Sequence, residues 1–410
     1  MDNDSRSGTV EGGRPGAEIA AADREGGNLA EAAPTLERRA FLGKAAVGAA
    51  AAGVLAASCG GAEQESAGGG GAPAVITNPN VRWRLASSYP RTVDAIFDTA
   101  TRAGESLSAM TDGRFQLRVY EANELVPAFE VMDAVQQGTV QVGHSPSYYY
   151  TGKAPVLAFD TCVPFGLTSR QQHAWLYDAG GLELISEIFS DFNIIPLPAG
   201  NTGAQMGGWF RREINTPEDL NGLKMRIPGL GAEVMDRLGV TVQNLAAQEI
   251  YPALERGAID ATEWVGPYDD EKLGFQNAAR FYYYPGWWEP GPSTTFQVNR
   301  DAWDSLPSTY QEAFRVAVRS AAHGVETTYD SRNPAALRRL VEGGVQLRAF
   351  SPEIMEVSRV ASQEILRERA AADATYRRVY DHWSAFRTEA FEWFGRAEWA
   401  YADAAFGGGS

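Results

Sequence analysis

Strand-like and helix-like patterns of apolar residues alternate along the first part of the globular region. Residues 81–86 and 115–120 alternate apolar and polar positions as strands do, and residues 92–110 place apolar residues at helical spacing. A shorter helical pattern over 129–137 ends at a glycine, and an apolar strand follows over 140–143. Strands that alternate with helices form βαβ units, so this pattern predicts a parallel sheet.

The same plan returns further along the chain, which suggests two lobes of one design. Residues 249–256 form a helical pattern that a glycine ends, and residues 258–261 follow as a strand. Polar residues come after the strand in each lobe, His144 in the first and Glu263 with Trp264 in the second. Because ligands bind beyond the carboxyl ends of strands in open α/β sheets, two facing lobes predict a ligand-binding cleft.

The start of the chain has the composition of a leader rather than of a folded domain. Residues 1–36 are rich in Gly, Ala, Asp and Glu, which is typical of a disordered extension. Residues 37–59 join a basic start to an Ala-rich run, as export signals do; the paired arginines resemble a twin-arginine signal. The end of this segment resembles a lipobox at Cys59, with Leu55 one place early. Residues 60–80 are predicted to be a flexible linker, so we expect an exported periplasmic domain with Cys59 as the candidate lipid anchor.

Composition limits the function classes further. The chain has 410 residues, enough for two domains, and its formal net charge of −16 argues against nucleic-acid binding. Only Cys162 lies in the globular region, so no intrachain disulfide is expected there. With four histidines and no HExxH or CxxC pair, a zinc site is not expected.

Motifs for catalysis are incomplete. Residues 143–147 approach a nucleophile elbow but lack its second glycine and carry a proline where a helix must begin. Residues 229–231 begin like a dinucleotide loop, but Val234 replaces the third glycine. Glu263 and Glu289 are a candidate acid–base pair, so a periplasmic lyase or isomerase that acts on a carboxylate stays open as the alternative function.

Arg226 stands near the end of the short apolar run 222–229, which is predicted to be a buried strand. An arginine keeps its charge, and burying it without an anion costs several kcal/mol. The residue therefore reaches water, pairs with an acid, or binds a ligand carboxylate, whose two oxygens match the guanidinium fork. These residues alone leave the three readings open.

Three stretches resemble the solute-binding receptors of tripartite ATP-independent periplasmic (TRAP) transporters. They are residues 129–138, 216–226 and 249–260, and the resemblance covers roughly residues 82–400. In that family the arginine that ends the second stretch binds the substrate carboxylate across a closing cleft, without catalysis. The resemblance implies a receptor that captures a small carboxylate and delivers it to membrane subunits.

The fold that this resemblance implies is an α/β, two-lobe periplasmic binding protein fold. We expect a long helix along both lobes, and further helices at the C-terminus. The predicted limits are 81–203 with 292–345 for the first lobe, 204–291 with 346–375 for the second, and 376–410 for a C-terminal helical segment. A binding protein of the ABC type, with lobes bridged only by short strands, is the alternative architecture.

Within the family, the residues around the expected cleft resemble the subgroup that binds 2-oxo or 2-hydroxy monocarboxylates, such as pyruvate or lactate, with a metal ion. The substrate-binding residues that this resemblance and position imply are Arg226, Gln205, Trp264, Glu289, His144 and Tyr149. The implied cation ligands are Glu263, Gln205 and the Trp264 carbonyl. His144 and Tyr149 are chosen by their position in the first lobe alone.

Charge counting supports a cation without the resemblance. Arg226 contributes one positive charge, while Glu263, Glu289 and a monocarboxylate contribute three negative charges. A closed, dry cleft would then hold a net charge of about −2, which a low dielectric disfavours strongly. Bound Na⁺ or Ca²⁺, or a protonated Glu289, relieves this charge, and oxygen ligands suit such hard cations.

The C-terminal helical pattern carries aromatic residues on most of its sides. They are Tyr376, Tyr380, Trp383, Phe386, Phe391, Trp393, Phe394, Trp399 and Tyr401. One protomer covers one face of such a helix, so the pattern predicts a homodimer, which the subgroup resemblance also suggests. A tail that packs wholly on its own lobes is the alternative.

Overall fold

The computed structural model describes residues 78–407. The predicted extension, the signal with Cys59 and nearly all of the linker lie outside the described residues. From residue 78 to residue 407, no helix combines the length and the apolar character that crossing a membrane requires.

The elements alternate between strands and helices along most of this range. The strands are β1 (Val81–Ser87), β2 (Phe115–Tyr120), β3 (Val142–Ser145), β4 (Ile194–Asn201), β5 (Trp209–Phe210), β6 (Lys224–Arg226), β7 (Thr241–Gln243), β8 (Ala261–Thr262), β9 (Phe281–Tyr284), β10 (Ser293–Asn299) and β11 (Gln346–Ala349). The helices are α1 (Asp94–Met110), α2 (Val131–Gln136), α3 (Ala158–Thr161), α4 (Ser169–Tyr177), α5 (Gly181–Ser190), α6 (Gly229–Arg237), α7 (Ala247–Glu255), α8 (Pro267–Leu273), α9 (Arg300–Asp304), α10 (Ser308–Glu342), α11 (Pro352–Ala372), α12 (Ala374–Phe394) and α13 (Ala400–Phe406).

The strands form two sheets, one for each lobe. The order is β2-β1-β3-β10-β4 in the first sheet and β11-β9-β5-β8-β6-β7 in the second. Strand β1 pairs in parallel with β2 and β3, as the βαβ pattern predicts, but β10 pairs antiparallel with both β3 and β4. The first sheet is therefore mixed, because the chain returns from the second sheet to add β10.

The long helix α10 connects the two lobes. It continues to Glu342, well past the predicted helical pattern over 307–329, because Ala336 and Leu340 extend its buried face beyond Pro334. It packs against α1 and β4 of the first lobe and against α8 of the second. This arrangement confirms the predicted helix along both lobes and excludes the alternative in which short strands alone bridge them.

Two strands begin later than the sequence pattern predicts. Strand β3 starts at Val142 instead of residue 140, and β8 starts at Ala261 instead of residue 258. Each follows a glycine in the left-handed region, Gly138 with φ +70° and Gly257 with φ +72°. The backbone after each glycine turns back to bond the last carbonyls of the preceding helix, so pairing with the sheet begins only afterwards.

The C-terminal helices divide between the lobes. Helix α11 packs on α6 of the second lobe, whereas α12 packs on α4 and α5 of the first. Tyr376 and Trp383 are buried against the body of the protein, but Trp393 is 63% exposed and Trp399 is 71% exposed. The first half of the aromatic pattern is therefore buried on the chain's own lobe; in the second half the Phe394 ring still lies 5.5 Å from the Arg170 guanidinium of α4, whereas Trp393 and Trp399 are exposed.

Candidate functional site

A small cavity lies between the two lobes, beyond the carboxyl ends of β3 and β6. Residues of the first sheet and its connections that line it include Tyr89, Ile96, Tyr148, Tyr149 and Thr294; those of the second include Gln205, Arg226, Trp264 and Val265. The centre of a water molecule can reach only about 20 Å³ of this space. In this closed form that space holds about one water molecule.

Side chains of the two lobes contact each other directly. Lys272 of α8 pairs with Asp94 at the start of α1. Asn123 Nδ2 donates a hydrogen bond to Gln248 Oε1 at 3.4 Å. The structure is thus a closed form, in which groups facing the cavity are screened from bulk water.

Arg226 is buried, at 1% exposure, and its donors are held by fixed acceptors. Nε donates to the Leu245 carbonyl at 3.1 Å, and Nη1 donates to the Glu263 carbonyl at 3.1 Å and to Glu263 Oε1. Nη2 donates to the Tyr149 hydroxyl at a longer 3.4 Å, and the guanidinium lies 5.2 Å from the centre of the Trp264 ring. Of the three possibilities left open by the sequence, the structure shows the pairing with an acid, and Arg226 also lines the cavity beside Tyr149.

Glu263 and Glu289 are two buried carboxyl groups behind the Arg226 end of the cavity; neither lines it, and each keeps an Oε2 atom without a hydrogen-bond partner. Burial raises the pKa of Glu263, although the Arg226 guanidinium opposes the rise. Burial and then the charge of Glu263 raise the pKa of Glu289 well above its usual range, against the opposing effects of Arg226, Tyr148 and Gln205. The closed cleft therefore favours a neutral Glu289.

The oxygen atoms at this end of the cavity fit a hard cation. Gln205 Nε2 donates to Thr202 Oγ1 at 3.1 Å, which leaves Gln205 Oε1 as a buried acceptor without a donor. Glu263 Oε2 and Glu289 Oε2 are also buried without a hydrogen-bond partner, and unmatched buried polar atoms are costly. Oxygen ligands of this kind suit Na⁺ or Ca²⁺. Across residues 78–407, no group of three or more His, Cys, Asp or Glu side chains could hold a metal, so a carboxylate-rich centre is not found there.

A close approach of two backbone segments fixes the position of Glu289. Gln205 N donates to the Glu289 carbonyl at 3.2 Å, and Gly286 N donates to the Gln205 carbonyl at 2.9 Å. A Cβ atom at Gly286 would lie 2.5 Å from the Met206 carbonyl oxygen and 2.7 Å from that of Gln205. Only glycine fits there without moving the backbone, so the turn brings Glu289 and Gln205 together.

Of the two residues chosen by position, only one reaches the cavity. Tyr149 lines it, and burial raises the pKa of its hydroxyl to about 12, so it stays protonated. His144 lies behind the wall, with Nε2 3.4 Å from Thr294 Oγ1 and its ring 5.1 Å from that of Tyr89. Burial lowers the pKa of His144 to about 3, so the imidazole is neutral. It supports two lining residues and does not itself line the cavity.

Two buried aspartates stand behind the Trp264 side of the cavity. Asp269 accepts hydrogen bonds from Tyr329 of α10 at 2.6 Å and from Trp264 Nε1 at 3.4 Å. Asp270 accepts from Trp209 Nε1 at 2.9 Å. Burial raises the pKa of Asp269 to about 7 and that of Asp270 to about 6. These bonds tie the cavity wall to the helix that spans both lobes.

Sequence reasoning missed several lining residues. Tyr89 lies in the polar loop after β1, so the rule that ligands bind at strand ends could have found it. Tyr148 and Thr202 likewise follow β3 and β4 closely. Ile96 gave no such signal, because an apolar residue on the buried face of α1 looks like any other core residue.

The sequence profile of the bacterial extracellular solute-binding proteins of family 7, DctP, matches residues 87–373. A monocarboxylate 2-oxoacid-binding periplasmic protein of Nostoc sp. is 55% identical over 315 residues, which cover 77% of this chain and 86% of that protein. This relative and the profile describe proteins that bind solutes, so they give no support to a lyase or an isomerase.

Two solved structures extend the likeness to ligands. A TRAP transporter solute-binding protein of Bordetella bronchiseptica RB50 is 44% identical with a TM-score of 0.80, covering 81% of this chain and 98% of that one. It is a mixed-occupancy dimer with copurified calcium and picolinate in one active site. A TRAP periplasmic solute-binding protein of Pseudoalteromonas atlantica T6c, with bound sodium and pyruvate, is 40% identical with a TM-score of 0.77, covering 79% of this chain and 99% of that one.

Proposed function

The chain belongs to the bacterial extracellular solute-binding proteins of family 7, and on that premise we propose that it is a TRAP transporter receptor for a small 2-oxo or 2-hydroxy monocarboxylate. It captures the acid with a Na⁺ or Ca²⁺ ion and delivers it to the membrane subunits of the transporter. The observation that carries this proposal is the buried guanidinium of Arg226, which lines a closed cavity near buried oxygen atoms that lack hydrogen-bond donors.

Each polar group at this end of the cavity has a proposed role. Arg226 binds the substrate carboxylate, for which Nη2 is the available donor. Gln205 Oε1, a carboxylate oxygen of Glu263 and the Trp264 carbonyl hold the cation, which draws the 2-oxo or 2-hydroxy oxygen and the carboxylate into one orientation. Glu289, kept neutral by burial, contacts the same substrate as a hydrogen-bond donor.

Charge balance supports these roles. With Glu289 neutral, Arg226 and Glu263 cancel, and a monocarboxylate then needs one more positive charge inside the closed cleft. Na⁺ supplies that charge with a neutral Glu289, and Ca²⁺ supplies it with an ionised Glu289. The related structures with calcium and with sodium are in keeping with a site that accepts either ion.

The protein is a binding protein and not an enzyme, because its family consists of solute-binding proteins. Glu263, one of the two candidate bases, has its Oε1 atom engaged by Arg226. Glu289, the other, favours its protonated form in the closed cleft. Neither group is therefore prepared to abstract a proton from a bound acid, so the geometry also gives the lyase or isomerase alternative no support.

Calorimetry tests the function directly. We expect purified protein to bind pyruvate, 2-oxobutyrate or lactate in the presence of NaCl or CaCl₂ without consuming it. Trp264, which lines the cavity, should report binding through a change in fluorescence. Turnover of an acid, or absence of binding to every acid with either cation, would contradict the proposal.

Export of this protein agrees with its family, which consists of extracellular solute-binding proteins, and with its Nostoc relative, which is periplasmic. We propose that the twin-arginine-like segment 37–59 directs export and that Cys59 receives a lipid. The support is the sequence of that segment alone. Expression in a bacterial host should place the wild-type protein in the membrane fraction and the C59A variant in the soluble periplasmic fraction; equal release of both would exclude lipidation at Cys59.

We also propose a homodimer formed through the end of the C-terminal helices. Trp399, Tyr401 and Phe406 are each more than 70% exposed, and such large apolar side chains favour burial. The related Bordetella structure is a dimer, which agrees with this proposal. Light scattering at micromolar concentration should give a dimer mass for the wild type and for the surface control M110A, but a monomer mass for the double variant W399A/Y401A. A monomeric wild type would end this proposal.

A further inference from the structure

The cavity has an apolar side that none of the proposed polar roles uses. Ile96 of α1, the ring of Trp264 and Val265 belong to one packed cluster and line the cavity on that side. Arg226 and Gln205 supply polar groups to the lining, and the buried carboxyl groups of Glu263 and Glu289 lie behind it. An acid held by its carboxylate and its 2-oxygen must direct its remaining carbons towards an apolar surface, because polar groups there would lose their partners.

We propose that Ile96 sets the chain length of the acid, so that the receptor selects acids with one or two carbons beyond the 2-oxo carbon. This inference rests on the proposed function and names the substrate class within it. Ile96 comes from the first lobe, whereas Arg226 comes from the second. The length of acid that fits is therefore decided only when the lobes close.

The position of Ile96 is rigid for two reasons. It lies in the first turn of α1, where Asp94 is tied to Lys272 of the opposite lobe. It is also packed in the cluster that contains Val325 and Tyr329 of α10, and only 2% of its surface is exposed. Since this wall cannot recede freely, a longer acid must displace packed side chains or hold the lobes apart.

Packing magnitudes give the expected discrimination. Extra methylene groups forced into a packed site weaken binding by about 5- to 150-fold. Shortening Ile96 to alanine removes three carbon atoms from the wall and opens that space. Each methylene that enters it should then strengthen binding by about fourfold.

The test measures dissociation constants of pyruvate, 2-oxobutyrate and 2-oxovalerate by calorimetry, in NaCl and in CaCl₂. We expect the wild type to bind 2-oxovalerate at least tenfold more weakly than pyruvate, and I96A to reverse that order. I96V, which removes one carbon, should lie between them and keeps the test usable should I96A fold poorly. Picolinate serves as a wide probe whose affinity relative to pyruvate should also rise in I96A.

Ile250 provides the matched control, because it is fully buried in the same cluster but does not line the cavity. I250A should lower the melting temperature and leave the ranking of the acids unchanged. A wild type that binds the three acids equally, an I96A variant with unchanged ranking, or an I250A variant that changes the ranking as much as I96A would each overturn the inference. Failure of the wild type to bind any acid would instead refute the proposed function.

Discussion

Arg226→Lys and Glu263→Gln should both weaken binding of the acid, but in ways that the cation distinguishes. In the closed cleft the two side chains form a buried pair, and Arg226 makes two further bonds to the carbonyls of Leu245 and Glu263. A lysine keeps the charge but has a single ammonium group. It cannot bond those carbonyls from fixed positions and also reach the substrate carboxylate with a second nitrogen, as Nη2 does in arginine.

The structure sets the size of each effect. Loss of a desolvated pairing with the substrate carboxylate costs roughly 2–5 kcal/mol, or about thirty- to several-thousand-fold in affinity. For Arg226→Lys this loss should persist at every cation concentration. Glu263→Gln removes a charge from the cation site, so it should weaken the cation first, and its affinity for the acid should recover in part as NaCl or CaCl₂ is raised.

The assay is calorimetry of pyruvate on cation-stripped protein in a potassium buffer, repeated over a range of added Na⁺ or Ca²⁺. E263D, which keeps the charge with a shorter side chain, and R256K, an exposed conservative change, are the controls. Thermal unfolding is measured in parallel, because breaking a buried ion pair costs about 3–5 kcal/mol of stability. Recovery of R226K at high cation would show that Arg226 does not contact the acid. Unchanged affinity of the wild type after stripping would mean that Glu263 is only a wall residue and that protonation of Glu289 balances the charge.

Three further changes probe the support of the site. Burial raises the pKa of Asp270 from an ordinary 3.8 to about 6, so between these values the folded state keeps a proton that the unfolded chain loses. The free energy of unfolding should therefore fall as the pH rises through this range. In thermal melts the D270N variant should show a smaller fall. G286A forces a Cβ atom against the Gln205 carbonyl, and calorimetry should show at least a tenfold loss of acid affinity, whereas G395A, at an open position, should show none. Y149F removes only a long hydrogen bond to Arg226 and should cost about two- to tenfold in acid affinity by the same measurement.

The sequence predicted the plan of the fold well because its signals are local. Period-two and helical patterns gave β1, α1 and β2 within two residues. The predicted starts of β3 and β8 were wrong, because the residues after each left-handed glycine have a strand-like sequence pattern but bond to the preceding helix. The antiparallel β10 was not predicted at all, since pairing between distant segments leaves no periodic trace in one sequence.

Site residues were predictable where the residue type is unusual for its place in the sequence pattern, and not where it is the type expected there. A charged residue in an apolar run made Arg226 conspicuous, and the structure places it at the cavity beside Gln205 and Trp264. His144 was chosen because it follows a strand, but side chains alternate along a strand and this one faces the packed side. Ile96 stayed hidden because packing and recognition use the same apolar side chains.

The pairing of Arg226 with Glu263 implies that the acid and the cation must bind together. An acid that binds alone adds a negative charge to a closed cleft in which Arg226 and Glu263 already balance each other. A cation that binds alone adds a positive charge to the same balanced cleft. When both bind, the two added charges cancel, so the cost of an uncompensated buried charge is removed only in the ternary complex. Because such coupling is reciprocal, the acid must tighten the cation by the same factor as the cation tightens the acid, typically about 5- to 150-fold. Such a receptor should bind the pair more tightly than either component alone.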